Sequence, residues 1–410
     1  MTKIIERRIY TENIKKFIDK QVVKVITGIR RSGKSEILKL IRKEVSKKID
    51  DQHIIFINFE DIEFEDLKIY KNLHNYILNK IHDDQKYYLF FDEIQLVTGW
   101  EKTINSLRLR NTDIFITGST TKLLSSELAT LLSGRYIQFE IRPLTFNEYI
   151  NFHHFDRVQL ASTIENKNLN DYINLGGFPF IAINNLTQEE ATAIVKDIHS
   201  SIVLKDVVSR NNIKNVPLLE KVIAYFYDNV GNLTSLRNIA QYISGGGKEK
   251  VHTNLDTISN YVNYLETAYV VKKAQRYDIK GKKLFKINDK YYLADHSLAY
   301  VLRDTNKVNK GRILENIVFN ELIARDYAVY VGKLDTKEID FIAERKGEKI
   351  YVQVCLEFSN HETYTREFTP LKNIKDNYPK YVVSLGENPN HNDAGIIGIS
   401  LKDFLLKKNY

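Results

Sequence analysis

The chain has 410 residues, 43% of them hydrophobic and 27% charged, with a formal charge of +8. That length exceeds one ordinary core and predicts two to four domains of soluble, globular composition, while the positive sign admits a polyanionic partner. One cysteine, Cys355, excludes an intrachain disulfide, the N-terminus is charged where a signal peptide is apolar, and no run approaches the roughly 20 apolar residues of a membrane span, so the expectation is a cytoplasmic protein with no membrane partner.

An apolar run around Val22, Val25 and Ile26 leads into Gly28-Ile29-Arg30-Arg31-Ser32-Gly33-Lys34-Ser35, and Glu36 opens a helical stretch. Strand, glycine loop and helix in that order form a phosphate-binding loop. The glycines let backbone N–H groups turn inward, and the helix adds its positive dipole end. Lys34 is expected on the β- and γ-phosphates and the Ser35 hydroxyl on Mg²⁺. Arg30 and Arg31 are further candidates for phosphate or for a neighbouring subunit. A second strand is read from the apolar residues 53–61.

A third, Tyr87–Phe91, ends in Asp92-Glu93, where acids would stand beside the loop in a parallel sheet. Asp92 is expected to hold Mg²⁺ through water, and Glu93 to polarise the attacking water. The strand 113–120 ends in Thr117-Gly118-Ser119, and Ser119 is the candidate for contact with the γ-phosphate. Strands alternating with helices predict an α/β fold, a parallel sheet with helices on both faces.

These segments, with "LLSGRY" (131–136) and "IRPLTFNEYI" (141–150), resemble the AAA+-type ATPases of bacteria and archaea. "LGGFP" (175–179) and the tail resemble the DUF4143 domain that comes after such ATPases. The resemblance implies ATP and Mg²⁺ as cofactors. It also draws attention to Arg135, a guanidinium that could stabilise transition-state charge on its own or a neighbouring subunit's phosphates. Arg142 is a weaker candidate.

Beyond the ATPase domain (1–150), residues 151–215 read as a helical connector. The corner Gly176–Pro179 is expected to join the ATPase to the remainder of the chain, and residues 200–210 read as core. Residues 216–295 show three amphipathic helices, the last with Leu255, Ile258, Val262 and Leu265 on one face, then two short alternating runs around Asp278–Lys283. That is the pattern of a winged helix. Residues 271–290 carry eight Lys/Arg against two Asp/Glu, which suits phosphate contacts on double-stranded DNA through Lys280, Lys282 and Lys283. Thr253, Asn254, Thr257, Asn260 and Tyr261 would then face a groove. A solvated wing or a protein-binding wing fits the same pattern.

The tail, 296–410, resembles the PD-(D/E)xK nuclease core. Glu315 and Asp340 match its first two acids, but Gln353-Val354-Cys355 stands where Glu-x-Lys belongs. Glutamine offers no carboxylate to a hard cation, and cysteine cannot replace the lysine. The expectation is an inactive nuclease fold kept for binding, with Cys355 a buried thiol. The whole reads as a Mg²⁺-dependent ATPase coupled to DNA, to a protein partner or to self-association. The rivals are a nucleotide-gated switch with little turnover and an ATP-driven nuclease.

Overall fold

The computed structural model describes residues 5–119, 132, 134–153, 162–184, 186–244, 254–285, 288–302, 308–357, 361–386 and 392–410. Thr253, the Gly245–Gly247 break and parts of the segments 116–120 and 131–136 lie outside the described residues. The chain forms two compact units, 1–143 with 267–269, and 144–266 with 270–410. Residues 144–150 thus go with the second unit, as do the three further domains read from sequence apart from 267–269.

The first unit holds a five-stranded parallel sheet of β1 (Val23–Thr27), β2 (Ile54–Asn58), β3 (Tyr87–Asp92), β4 (Thr112–Gly118) and β5 (Tyr136–Glu140). Its order is β2-β3-β4-β1-β5. Successive side chains leave a strand on opposite faces, so continuous apolar runs feed two cores. Val25, Ile57, Leu89, Phe91, Ile114 and Ile116 pack on one face with Leu73 and Ile77 of helix Tyr70–Lys80 and Ile104 of helix Trp100–Leu107. Ile26, Phe90 and Phe115 pack on the other with Ile37, Leu38, Ile41 and Val45, the three-to-four-residue stripe of helix Lys34–Val45. Burying both faces fixes every strand in register, and all five run toward the same edge.

In the second unit, β6 (Leu233–Thr234), β7 (Val271–Ala274) and β10 (Asp289–Leu293) form a three-stranded sheet of order β6-β10-β7. The basic run forms the expected hairpin, β8 (Arg276–Asp278) against β9 (Lys283–Leu284), with Asp278 opposite Lys283. That hairpin does not stay with the three helices. Through β8 it joins β11 (Ala328–Leu334) in parallel. It thereby closes one edge of an eight-stranded sheet completed by β12 (Lys337–Arg345), β13 (Glu348–Cys355), β14 (Lys380–Ser384), β15 (Asn392–Asp393) and β16 (Ile396–Ser400).

Two packing expectations change. In helix Leu255–Thr267, Leu255 is 41% exposed and leaves the apolar stripe, while Tyr261 is 7% exposed and donates its hydroxyl to the Asn215 carbonyl, so it cannot face a groove. Asn254 and Asn260 are exposed and Thr257 half-buried. The corner at Gly176-Gly177 is internal to the second unit rather than a joint to the ATPase: the Gly177 N–H donates to Asp295 Oδ2 at 2.8 Å, and a Cβ there would stand 2.6 Å from the Leu144 carbonyl oxygen. Residues Ile202–Ser209 wind as a π-helix continuing helix Gln188–Ser201, with Ile202, Val203 and Val207 buried as the core reading requires.

Candidate functional site

β1 delivers the chain into the glycine loop at the C-terminal edge of the sheet. Gly28 has φ 140°, and a Cβ there would stand 2.0 Å from the Ile141 carbonyl oxygen, so no other residue fits without moving the backbone. Gly33, at φ 97°, caps the helix that begins at Lys34. The first-turn N–H groups of that helix have no acceptor inside it and point into the loop. Lys34 is 5% exposed and bends back to donate to the Ile29 carbonyl at 3.1 Å, a contact that phosphate oxygens can replace. The Ser32 hydroxyl is buried without a hydrogen-bond partner, as is Gln95 Oε1. A buried polar atom left unpaired is costly and fits a loop built to hold an oxyanion.

The acids arrive from β3. Ser35 Oγ donates to Asp92 Oδ1 at 3.1 Å, joining residues 57 apart in sequence. Thr117 Oγ1 donates to the same oxygen and accepts the Glu93 N–H at 2.8 Å. Burial pushes the Asp92 carboxyl above its usual range, and Glu93 adds to this. Hydrogen bonds from Thr117 and Ser35, and the Lys34 charge, oppose it. A carboxyl placed so, beside a hydroxyl, suits a hard divalent cation that would restore the missing positive charge. Glu93 sits in the left-handed region at φ 55°, a strained backbone, and Gln95 Nε2 donates to its carboxylate.

Of the other expected residues, Ser119 comes directly after β4 at this same edge and is buried. Arg30 faces Glu60 at 3.6 Å, and Arg31 is exposed with φ 67°. The Glu36 side chain points to solvent, paired with Lys39 at 2.7 Å, so only its backbone belongs to the site. Arg142 pairs with Glu140 at 2.9 Å. Arg135 is displaced. Its carbonyl accepts from the Val23 N–H at the start of β1, so it lies at the opposite edge of the sheet, ~16 Å of strand from the loop. It cannot reach the phosphates of its own site.

Sequence reading missed two residues here. Thr117 ties Asp92 to the Glu93 backbone; its place at the end of β4, inside Thr-Gly-Ser, was the available signal. Arg7, 3% exposed, donates through Nη1 to the carbonyls of Ser32 (2.9 Å) and Arg142 (2.8 Å), clamping the loop to the segment after β5. Nothing local marks it.

In the second unit Glu315 and Asp340 do converge. Between them stands Lys290 of β10, its Nζ 2.9 Å from Glu315 Oε1, 2.7 Å from Glu338 Oε1 and 3.9 Å from Asp340 Oδ1. Burial opposes that ammonium's charge, but the carboxylates outweigh it and hold its pKa above the usual lysine range. Asp340 is driven far up by burial, then by Glu315. Gln353 Oε1 accepts the Asp340 N–H, and burial pushes the Cys355 thiol up to about 12. Lys280 pairs with Asp335 at 2.7 Å, Lys282 is left-handed at φ 49°, and Lys283 is exposed on β9.

The AAA domain family matches residues 20–150, a domain of unknown function (DUF8612) matches 166–309, and a second (DUF4143) matches 310–404. Leu175–Pro179 therefore lie in the DUF8612 match, not in DUF4143. An uncharacterized protein of Haemophilus influenzae is 40% identical over 407 residues, 98% of this chain and 99% of its own length. An uncharacterized protein of Methanocaldococcus jannaschii is 32% identical over 396 residues, 93% and 85% of the two chains. Among solved structures, a Walker-type ATPase of Pyrococcus abyssi is similar at TM-score 0.49 and 15% identity, covering 73% of this chain and 96% of that one. The AMPPCP-bound DnaA of Aquifex aeolicus is similar at TM-score 0.31 and 16% identity, covering 64% and 93%. No helix among the described residues is long and apolar enough to cross a membrane.

Proposed function

This chain belongs to the family in which an AAA domain precedes a DUF4143 domain, and we propose on that footing that it hydrolyses ATP with Mg²⁺ and uses the cycle to alter its grip on DNA or a protein partner. The observation that carries the reading is the Ser35–Asp92 hydrogen bond, 3.1 Å, which pairs a loop hydroxyl with a strand carboxylate beside Lys34 and Glu93. When bound, Mg²⁺ would supply positive charge against that developing on the phosphates. Ser35 and Asp92 are the residues that would hold it. Lys34 leaves the Ile29 carbonyl for the β- and γ-phosphates. Glu93 accepts a hydrogen bond from water and orients it for attack, and Thr117 keeps that carboxylate's backbone in place.

The switch reading also has an observation in its favour. The Glu93 carboxylate is engaged at one oxygen by Gln95, which competes with water for it. For the partner, three helices (Val216–Asp228, Leu236–Ile243, Leu255–Thr267) against the sheet β6-β10-β7 support a winged helix, with Lys282 and Lys283 available to phosphates. The deciding experiment is phosphate release by purified protein with Mg²⁺ or EDTA, with and without duplex DNA, over a protein concentration series. Mg²⁺-dependent turnover of bound ATP is expected. Tight ATP binding with no turnover under any of these conditions leaves the switch.

A further inference from the structure

At the edge of the five-stranded sheet opposite the phosphate loop, the segments entering β1, β3, β4 and β5 line an open-mouthed pocket of about 500 Å³. Two carboxylates and four unmatched cations line it. Asp113 is neutralised by the buried Lys24, whose Nζ donates to Oδ1. Asp19 is held by Lys86 at 3.0 Å and by the Tyr88 hydroxyl at 2.7 Å. Lys20, Arg108, Arg110 and Arg135 remain, and among the described residues no carboxylate pairs with any of them. Arg108 is fixed in place, its Nε donating to Asn105 Oδ1 at 2.9 Å. Burial, and then repulsion from Arg135, hold its guanidinium below the usual arginine range. Like charges gathered around a concavity repel one another unless an anion joins them.

We infer that this pocket is a second phosphate site, one that takes a chain of two or three phosphates, free or as part of a nucleotide. Three of the four cations are arginines, whose planar forks match phosphate oxygens two at a time. The volume falls in the range of small-molecule sites, and a concavity of that size with the cations gathered around it suits a compact ligand better than a duplex, which needs an extended basic track. Four cations also match the three to four negative charges that a triphosphate carries near neutral pH, about one cation per charge. Nothing in the ATP-hydrolysing reading requires this site, and its ligand does not touch Lys34 or Glu93.

The test is calorimetric titration of the full chain with inorganic tripolyphosphate. The parent should take two equivalents and Lys34→Ala one. Adding Arg108→Ala and Arg110→Ala to Lys34→Ala should weaken the remaining equivalent at least about tenfold, the loss expected for charge-assisted contacts. With Lys34 intact, the double arginine variant should still bind one equivalent, which shows that it folds. Repeating the Lys34→Ala titration with ATP separates a bare phosphate chain from a nucleotide as the ligand, and binding of either sustains the site. The proposal is overturned if Lys34→Ala binds neither tripolyphosphate nor ATP. It is equally overturned if only duplex DNA binds there, or if the arginine changes abolish ATP turnover without any oligophosphate binding, which would give the pocket to phosphates presented by a second copy of the chain.

Discussion

On the proposed function Lys34 and Glu93 act at different moments in one site, and substitutions should separate them. Lys34 would supply a point charge to bound phosphates. Its replacement by alanine removes charge-assisted contacts worth about 1.5–3 kcal/mol each, so ATP affinity should fall by at least about tenfold. An unchanged affinity would refute the phosphate-loop reading. Glu93→Gln keeps the volume and removes the carboxylate proposed to orient water. It should bind ATP as the parent does and lose most turnover, since a positioned general base contributes about 10²–10⁴-fold. Turnover within about threefold of the parent would assign that work elsewhere. Both candidates come from local signals, loop spacing and a strand-end acid pair. Thr117 and Arg7 do not, because their roles are defined by partners that the fold brings to them: Asp92 is 25 residues from Thr117, and the Arg142 carbonyl 135 from Arg7.

Whole elements carry two further predictions. The β8–β9 hairpin presents Lys282 and Lys283, while Lys280 is already engaged by Asp335. Charge reversal of all three should therefore flatten the salt dependence of duplex binding by about two log–log units rather than three, at about one per lost phosphate contact. Parent-like binding at every salt concentration would turn the hairpin toward a protein partner. Helices Gln188–Ser201 and Val216–Asp228 are linked by a 2.8 Å hydrogen bond between His199 Nδ1 and the Tyr227 hydroxyl. Burial holds the imidazole down at about 4, below its ordinary 6.5. The folded state thus favours the neutral ring. Its contribution is complete above about pH 6.5 and is lost as pH falls through about 4. Denaturant titrations from pH 7 to 4 should show stability falling, less steeply in His199→Gln; identical slopes would remove His199 from the account.

At the scale of the molecule, the polar centre of the second unit is assembled from three separate stretches: Lys290 on β10, Glu315 on helix Lys310–Ala324, and Glu338 with Asp340 on β12. The lysine occupies the place a cation would need and supplies one positive charge to the carboxylates around it. Phosphodiester cleavage requires a metal held by carboxylates and a positioned water, so no cleavage of DNA is expected with Mg²⁺ or Mn²⁺. Plasmid nicking that disappears in Asp340→Ala would overturn this and make the ATP-driven nuclease the leading reading.

The glycine loop, the acid pair at the end of β3, the parallel character of the first sheet and the absence of Glu-x-Lys in the tail could all be read from the chain unfolded. Each is written in residues close along the chain, where backbone geometry and burial period act directly. Other features needed the folded molecule: Arg135 lies at the far edge from its own phosphate loop, the basic hairpin extends the eight-stranded sheet, Tyr261 is core rather than groove, and Lys290 fills the acidic centre. In each case the outcome turns on which distant segment packs alongside, and that choice is set by the burial of whole faces rather than by any local pattern.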